Sequence, residues 1–346
     1  MPALSDLLVS AAAQPAPAPG AVPGWAVRVV PAAAVPAAPR LPLAFAPWLF
    51  AQPAHQALQG AGSVLSFFLE NPAQGTTDAV FYALLNAEAR TARSPGQAPF
   101  GGVQAAPGLP PAAWHGFLAA IETALAGHGI RHLRLRPPAF CYHPGPAAAQ
   151  AEALRQRGYR VALAEQNYAL HLARPYAPHL HPSERRRLAK SYRHGLRFEQ
   201  EPPLLLPLAH AFIAACRAER GQAPPLPLAR LQALFEAFPH EHFLFSVRQP
   251  DGVWAALTVA IGVDARVLYN FYPASPLRCN GLSPAVMLTE GLHHFGRANG
   301  FAVLDLGTST LPDGPNASLL RFKRHLGASA GLRLTWEREI SDNTQC

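Results

Sequence analysis

Three short segments in the last third of the chain carry residue types that could do chemistry. Arg278, Asn280, Gly281, Leu282 and Ser283 lie in the run Arg-Cys-Asn-Gly-Leu-Ser, directly ahead of Pro284 and a helical pattern. A glycine there lets the backbone turn tightly, and the free N–H groups of a helix start can cradle an anion. Ser283 also suits the helix-capping position with Pro284 as first helical residue, a reading that needs no ligand. Asp305 stands at the end of an apolar strand, before Gly307, Thr308 and Ser309. Strand ends in α/β sheets are where ligands gather; the other reading is an aspartate that caps its own loop. Lys323, on a helix with Leu319, Leu320 and Phe322, would neutralise a phosphate or carboxylate, or stand as a solvated helix residue.

Other chemistries lack a handle. The histidine pairs His293–His294, His240/His242 and His179/His181 have neither the i, i+4 ligand spacing nor a partner carboxylate, so no metal is expected. No Gly-x-Ser-x-Gly elbow, Walker loop or Gly-x-Gly-x-x-Gly follows a strand, which removes hydrolase, ATPase and dehydrogenase readings. Cys141, Cys216, Cys279 and Cys346 lie far apart, unlike a disulfide framework or zinc knuckle, and suit a reducing, cytoplasmic compartment. The start of the chain has no basic n-region, and the apolar run 41–51 holds two prolines and falls short of the ~20 residues that span a bilayer. A net charge of +8 favours anionic partners, or is simply a solvated basic surface.

The elements that must position these residues recur. With 346 residues, 49% hydrophobic and 14% charged, the chain has material for two domains. Residues 1–40 read as an Ala/Pro-rich leader, with a strand at Trp25–Val30. In residues 41–178, strands at 63–70 and 78–93 precede a helix whose stripe is Trp114, Phe117, Leu118, Ile121 and Leu125. A strand at 132–136, a helix at 147–157 and a strand at 161–172 follow. In residues 179–346, helices at 184–194, 205–220 and 226–237 lead to strands at 243–248, 253–263 and 267–272. A helix with the stripe Ala285, Leu288, Leu292 and Phe295 comes next, then a strand at 302–306, a helix at 316–325 and a strand at 332–337. Strands, helix, strand, helix and last strand thus occur twice, which predicts two mixed, largely antiparallel sheets flanked by helices, with a boundary near 173–182. One large α/β domain is the alternative.

These residues resemble the GNAT (acetyltransferase-like) superfamily. Leu154–Arg160 is similar to the end of a GNAT domain, and Arg278–Ser283 resembles the GNAT pyrophosphate loop, with Arg278 and Gly281 matching and Ser283 where Gly or Ala is usual. Residues 269–327 resemble the C-terminal half of tandem GNAT proteins related to the Fem aminoacyltransferases, through Asn-Phe-Tyr-Pro-Ala-Ser, Leu-Asp-Leu-Gly-Thr-Ser-Thr and Leu-Leu-Arg-Phe-Lys-Arg-His-Leu-Gly. The basic helix 184–194, with Arg186, Lys190 and Arg193 on one face, resembles the segment that opens their second domain. The first half lacks a clear pyrophosphate loop after Gly101–Gly102, and no coiled-coil arm is visible.

The resemblance implies an acyltransferase acting by direct attack of an amine on a thioester or ester carbonyl. Acyl-CoA (acetyl-CoA) would bind at Arg278, Asn280, Gly281, Leu282 and Ser283, and substrate at Tyr269, Asn270, Tyr272, Asp305, Thr308 and Lys323. The acceptor would be a small-molecule or cell-wall-precursor amine. Aminoacyl-tRNA as donor, favoured by the basic helix, is the alternative, and a catalytically silent binding protein is a third. The catalytic base is not named by the sequence; His294, Glu290 and Tyr272 are candidates by nearness to the loop.

Overall fold

The computed structural model describes residues 23–60, 62–311 and 314–341, so the first part of the Ala/Pro-rich leader lies outside the described residues. The chain begins with β1 (Ala26–Ala33), α1 (Pro53–Ala57), β2 (Ser63–Asn71), β3 (Thr76–Asn86), β4 (Thr91–Ser94) and β5 (Gln104–Ala105). It continues through α2 (Pro111–Gly127), β6 (His132–Leu135), α3 (Pro144–Gln156) and β7 (Arg160–His171). Then come α4 (Tyr176–His179), α5 (Pro182–Arg193), β8 (Arg197–Glu201), α6 (Leu206–Ala218) and α7 (Leu228–Ala237). The last stretch holds β9 (His242–Arg248), β10 (Trp254–Gly262), β11 (Val267–Asn270), α8 (Pro284–Ala298) and β12 (Val303–Thr308). A small hairpin of β13 (Thr310–Leu311) and β14 (Gly314–Pro315), then α9 (Ala317–His325) and β15 (Ser329–Glu339), end it.

The order of elements read from the sequence is observed twice. In each half an antiparallel meander, β2–β3–β4 or β9–β10–β11, is followed by a helix and a strand parallel to the meander's last: β6 beside β4, β12 beside β11. Trp114, Phe117, Leu118, Ile121 and Leu125 of α2 are buried together with Phe67 and Phe81 of the sheet, as their helical stripe requires. Val286, Leu288 and Leu292 of α8 do the same against Phe245 and Leu268. Ile213 of α6 and Leu231 of α7 share a further core with Leu257 and Val259 of β10, so β10 is buried almost throughout and reads as one apolar run.

The halves are joined by their last strands. β7, which closes the first round of elements, pairs with β12 of the second; β15, which closes the second, pairs with β6 of the first. β7 and β15 pair with each other in between, from Ser329–Ala169 to Glu337–Arg160. A single sheet results, in the order β1-β2-β3-β4-β6-β15-β7-β12-β11-β10-β9-β8.

The two sheets expected from the sequence are therefore one, because β7 and β15 each pair with a strand of the other half. Smaller details depart from the sequence reading as well. β8 was not foreseen, because Arg-Phe-Glu-Gln-Glu is a charged edge strand without an apolar alternation. β11 ends at Asn270 rather than Tyr272, since the N–H groups of Phe271 and Tyr272 both turn back to the Val259 carbonyl.

Candidate active site

β11 and β12 run parallel from Val267–Val303 to Tyr269–Asp305 and pair no further. β11 stops one residue later, while β12 continues to Thr308 and shifts register against β7 between Asp305 and Thr308. Gly307 makes the shift, at φ 74°, where a side chain would be strained. Its N–H donates to Asp305 Oδ1 at 2.8 Å.

A buried polar cluster forms at this point. The Tyr142 hydroxyl donates to Asp305 Oδ2 at 2.6 Å, and Asn167 Nδ2 of β7 donates to Oδ1 at 2.7 Å. Lys323 of α9, itself buried, donates from Nζ to the carbonyls of Gly307 and Thr308, both at 2.9 Å. Burial pushes the Lys323 ammonium down to about 8 against the opposing pull of Asp305. On the far side of Thr308, Arg333 of β15 donates to its hydroxyl and pairs with Glu165 of β7 at 2.7 Å. Both side chains of that pair are about 95% buried, at 6% and 5% exposure. Asn167 Oδ1 is buried without a donor. Tyr269 is half-buried, makes no hydrogen bond through its hydroxyl among the described residues, and is pushed up to about 12 by burial and by Asp305.

The structure therefore brings Tyr269, Asp305, Thr308 and Lys323 together. Asn270 and Tyr272 are committed elsewhere: Asn270 Oδ1 accepts from the Thr258 hydroxyl at 2.7 Å, and the Tyr272 oxygen accepts from Leu226 N–H beneath the Arg217 guanidinium. Glu290 accepts a 2.5 Å bond from the Tyr192 hydroxyl, and with His294 it lines a hollow under Tyr192 and Phe198 that contains none of the Asp305 cluster. As bases for chemistry at Asp305, Glu290, His294 and Tyr272 are out of place.

Arg278, Asn280 and Gly281 are exposed in a 3-10 turn, Leu277–Leu282, that leads from β11 into α8. The turn is not made as the sequence suggested. Gly281 has a negative φ and open space around it, while Ser283 takes the left-handed conformation at φ 55°. Ser283 occupies the capping position, but its side chain makes no capping bond, because that conformation turns the hydroxyl back toward Asn280 O. α5 lies against this turn: Ser191 Oγ donates to Leu282 O at 2.7 Å. Arg186, Lys190 and Arg193 of α5 are exposed, and neither they nor Arg278 form an ion pair among the described residues.

Sequence reasoning missed Tyr142, Asn167, Glu165 and Arg333. Each lies in or beside an element recognised correctly, but only the exchange of β7 and β15 puts them next to Asp305.

No protein-family model matches the sequence, and no curated protein matches it either. Solved structures do. FemX superposes with a TM-score of 0.61 at 10% identity, over 80% of this chain and 88% of its own. The chain shares the fold of FemX. A conserved protein of unknown function from Bacteroides thetaiotaomicron VPI-5482 follows with a TM-score of 0.53, 9% identity, and coverage of 76% and 83%. L-PGS from Bacillus licheniformis gives 0.51 at 12% identity, with 78% and 82% covered. The mixed, largely antiparallel sheet flanked by helices is as expected, but the two sheets expected are joined into one. Among the described residues no helix is long and apolar enough to cross a membrane.

Proposed function

We propose that the chain is an acyltransferase whose acceptor amine attacks a carbonyl held where β11 and β12 part. The observation that carries this reading is the end of the parallel pairing at Tyr269–Asp305, with unpaired polar groups around it. Parallel strands that separate at their C-terminal ends leave a cleft in which the carbonyl is held with one face open to the amine. Tyr269, kept protonated by its surroundings, donates to the oxygen of the carbonyl as negative charge develops there. Asn167 Oδ1 accepts an N–H of the incoming amine. Lys323 holds the left-handed Gly307 turn through two carbonyls and so fixes the position of Asp305. A C–N bond forms, the carbon–sulfur or carbon–oxygen bond breaks, and the amine proton leaves with the departing group.

The donor in this reading is acyl-CoA, with acetyl-CoA its simplest form, its phosphates against Arg278 and the turn Asn280–Ser283. Support comes from the exposure of Arg278 and its freedom from any ion pair among the described residues. Calorimetry with acetyl-CoA tests it: Arg278→Ala should weaken binding about tenfold, the loss of one charge-assisted contact of about 1.5 kcal/mol or more. Equal affinities at low salt would remove Arg278 from the donor site.

A second reading is favoured by α5, which packs against the same turn through Ser191 and leaves Arg186, Lys190 and Arg193 exposed. It takes aminoacyl-tRNA as donor and a cell-wall-precursor amine as acceptor. Replacing the three residues with Gln should flatten the salt dependence of tRNA binding by up to about three units at roughly 0.7–0.9 per contact. Unchanged slopes would leave acyl-CoA as the donor.

A further inference from the structure

An apolar space lies away from the Asp305 cluster. It is a cavity of about 300 Å³ between α3, β15, the 44–48 segment and the turn 264–266, and none of the candidate site residues read from the sequence lines it. Three tryptophan rings, Trp48, Trp114 and Trp336, stand in its wall, each buried, and Phe140 and Leu334 extend the apolar surface.

Its polar lining is confined to a few groups. Gln104 is consumed within the fold, accepting from Trp48 N–H and donating to Ala46 O. His143 and Asp264 form a dyad: Nε2 lies 2.7 Å from Asp264 Oδ2, and Asp264 Oδ1 accepts from the N–H groups of Arg266 and Val267. Burial works to raise the Asp264 carboxyl, but His143 and the two N–H groups outweigh it and hold the group ionised. An ionised Asp264 keeps the Nε2 proton on His143. Arg266, exposed beside the dyad, makes no side-chain hydrogen bond or ion pair among the described residues. The acceptors of Asp264 are all taken, whereas the donors of the Arg266 side chain are free, so the unspent hydrogen-bonding capacity at this end belongs to a cationic donor.

An apolar, aromatic-walled chamber with an unspent guanidinium at one end is shaped for an apolar tail that carries a negative head. At about 30 Å³ per non-hydrogen atom, the share of a water in the liquid, the chamber takes about ten such atoms. We infer that this cavity is a second ligand site, for a medium-chain monocarboxylic acid whose carboxylate lies against Arg266. The site is independent of the donor and acceptor assigned above.

Octanoate, which has the required size, is the probe, and the tryptophans are the reporter. Titration of the full chain with octanoate should change intrinsic fluorescence saturably and raise the melting temperature, because a ligand of the folded state must do so. Octylamine, with the same tail and the opposite charge, should bind at least tenfold more weakly. Ala147→Phe, which pushes a ring into the chamber from α3, should abolish the response. Arg266→Gln, at an exposed position that leaves the packing untouched, should weaken octanoate about tenfold and leave 1-octanol unchanged. No saturable response to octanoate in the wild-type chain overturns the proposal, as does equal binding of octanoate and octylamine. Unchanged octanoate affinity in Arg266→Gln overturns the assigned head-group partner, even if Ala147→Phe does not fold. Acetyl-CoA binding is measured in parallel and should be unaffected by Arg266→Gln, which separates this site from the donor site.

Discussion

Asn167 and Asp305 lie 138 residues apart in sequence and meet at 2.7 Å across the seam between β7 and β12. With the Tyr142 hydroxyl and the Gly307 N–H, three donors converge on one carboxylate. Replacing Asp305 with Asn would turn an amide NH₂ toward those donors. A loss of about 2–3 kcal/mol is expected from the bonds to a charged acceptor, read from urea denaturation, with transfer activity falling in the same variant. A stability change under about 0.5 kcal/mol, the ordinary range for surface substitutions, would show that the cluster does not hold the seam.

The Glu165–Arg333 pair can be taken apart in two ways. Glu165→Gln leaves a buried guanidinium short of its counter-charge and should cost about 3–5 kcal/mol, whereas Glu165→Met with Arg333→Met should lie close to wild type. Burial raises the Glu165 carboxyl, but Arg333 more than offsets it, so its proton affinity is below that of the unfolded chain. The pair therefore contributes fully above the ordinary carboxylate range, and its contribution fades as pH falls toward the folded-state value. A shallower acid limb in the double variant than in wild type checks the sign.

His55 and His242 set a second acid dependence, which begins at higher pH. Burial, with His242 and Arg230 adding to it, holds His55 down to about 3, and burial holds His242 down to about 4. Unfolded, both titrate near 6.5. As pH falls from about 6.5 to 4, the unfolded chain takes up two protons that the folded chain refuses. Stability should drop by up to about 2.7 kcal/mol per pH unit, two protons at about 1.4 each. From about 4 to 3 only His55 contributes. His242→Asn should halve that slope, and an unaltered slope would show that another group controls it.

Gly291 of α8 faces the ring of Phe198 in β8, and a Cβ there would overlap three of its atoms. Gly291→Ala should cost about 1–3 kcal/mol through overpacking. In a Phe198→Ala background the same change should cost almost nothing, because the two positions are coupled. Additive effects in the double variant would mean that the helix, rather than the ring, bears the change.

Much of this fold is legible in the sequence, and the reason is local. The α2 stripe Trp114–Leu125 and the apolar runs of β2 and β10 signal their elements because each buries a face at its own period. Asp305, Thr308 and Lys323 stand out because a polar group at the end of an apolar strand, or a lysine among leucines, breaks a pattern. What the sequence hides is pairing. Nothing in Arg160–His171 or Ser329–Glu339 says that each lies beside the other half's parallel strand, so Tyr142, Asn167 and the Glu165–Arg333 pair look like scattered polar residues. The turn at 277–283 misleads for another reason. Its glycine invites a left-handed assignment, but the preceding 3-10 turn places that conformation on Ser283.

The exchange of β7 and β15 also sets an order of events during synthesis. β6 has its parallel neighbour β4 early, but its other edge is open until residues 329–339 have been made. While the ribosome adds everything from α4 to α9, the nascent first meander carries an unsatisfied edge, a template for wrong pairing. The last strand closes that edge over the longest sequence separation in the sheet, which makes it a slow, late step. A stall or premature stop before β15 would leave a chain with most of its helices formed and its centre unzipped. Such chains would be substrates for chaperones and proteases.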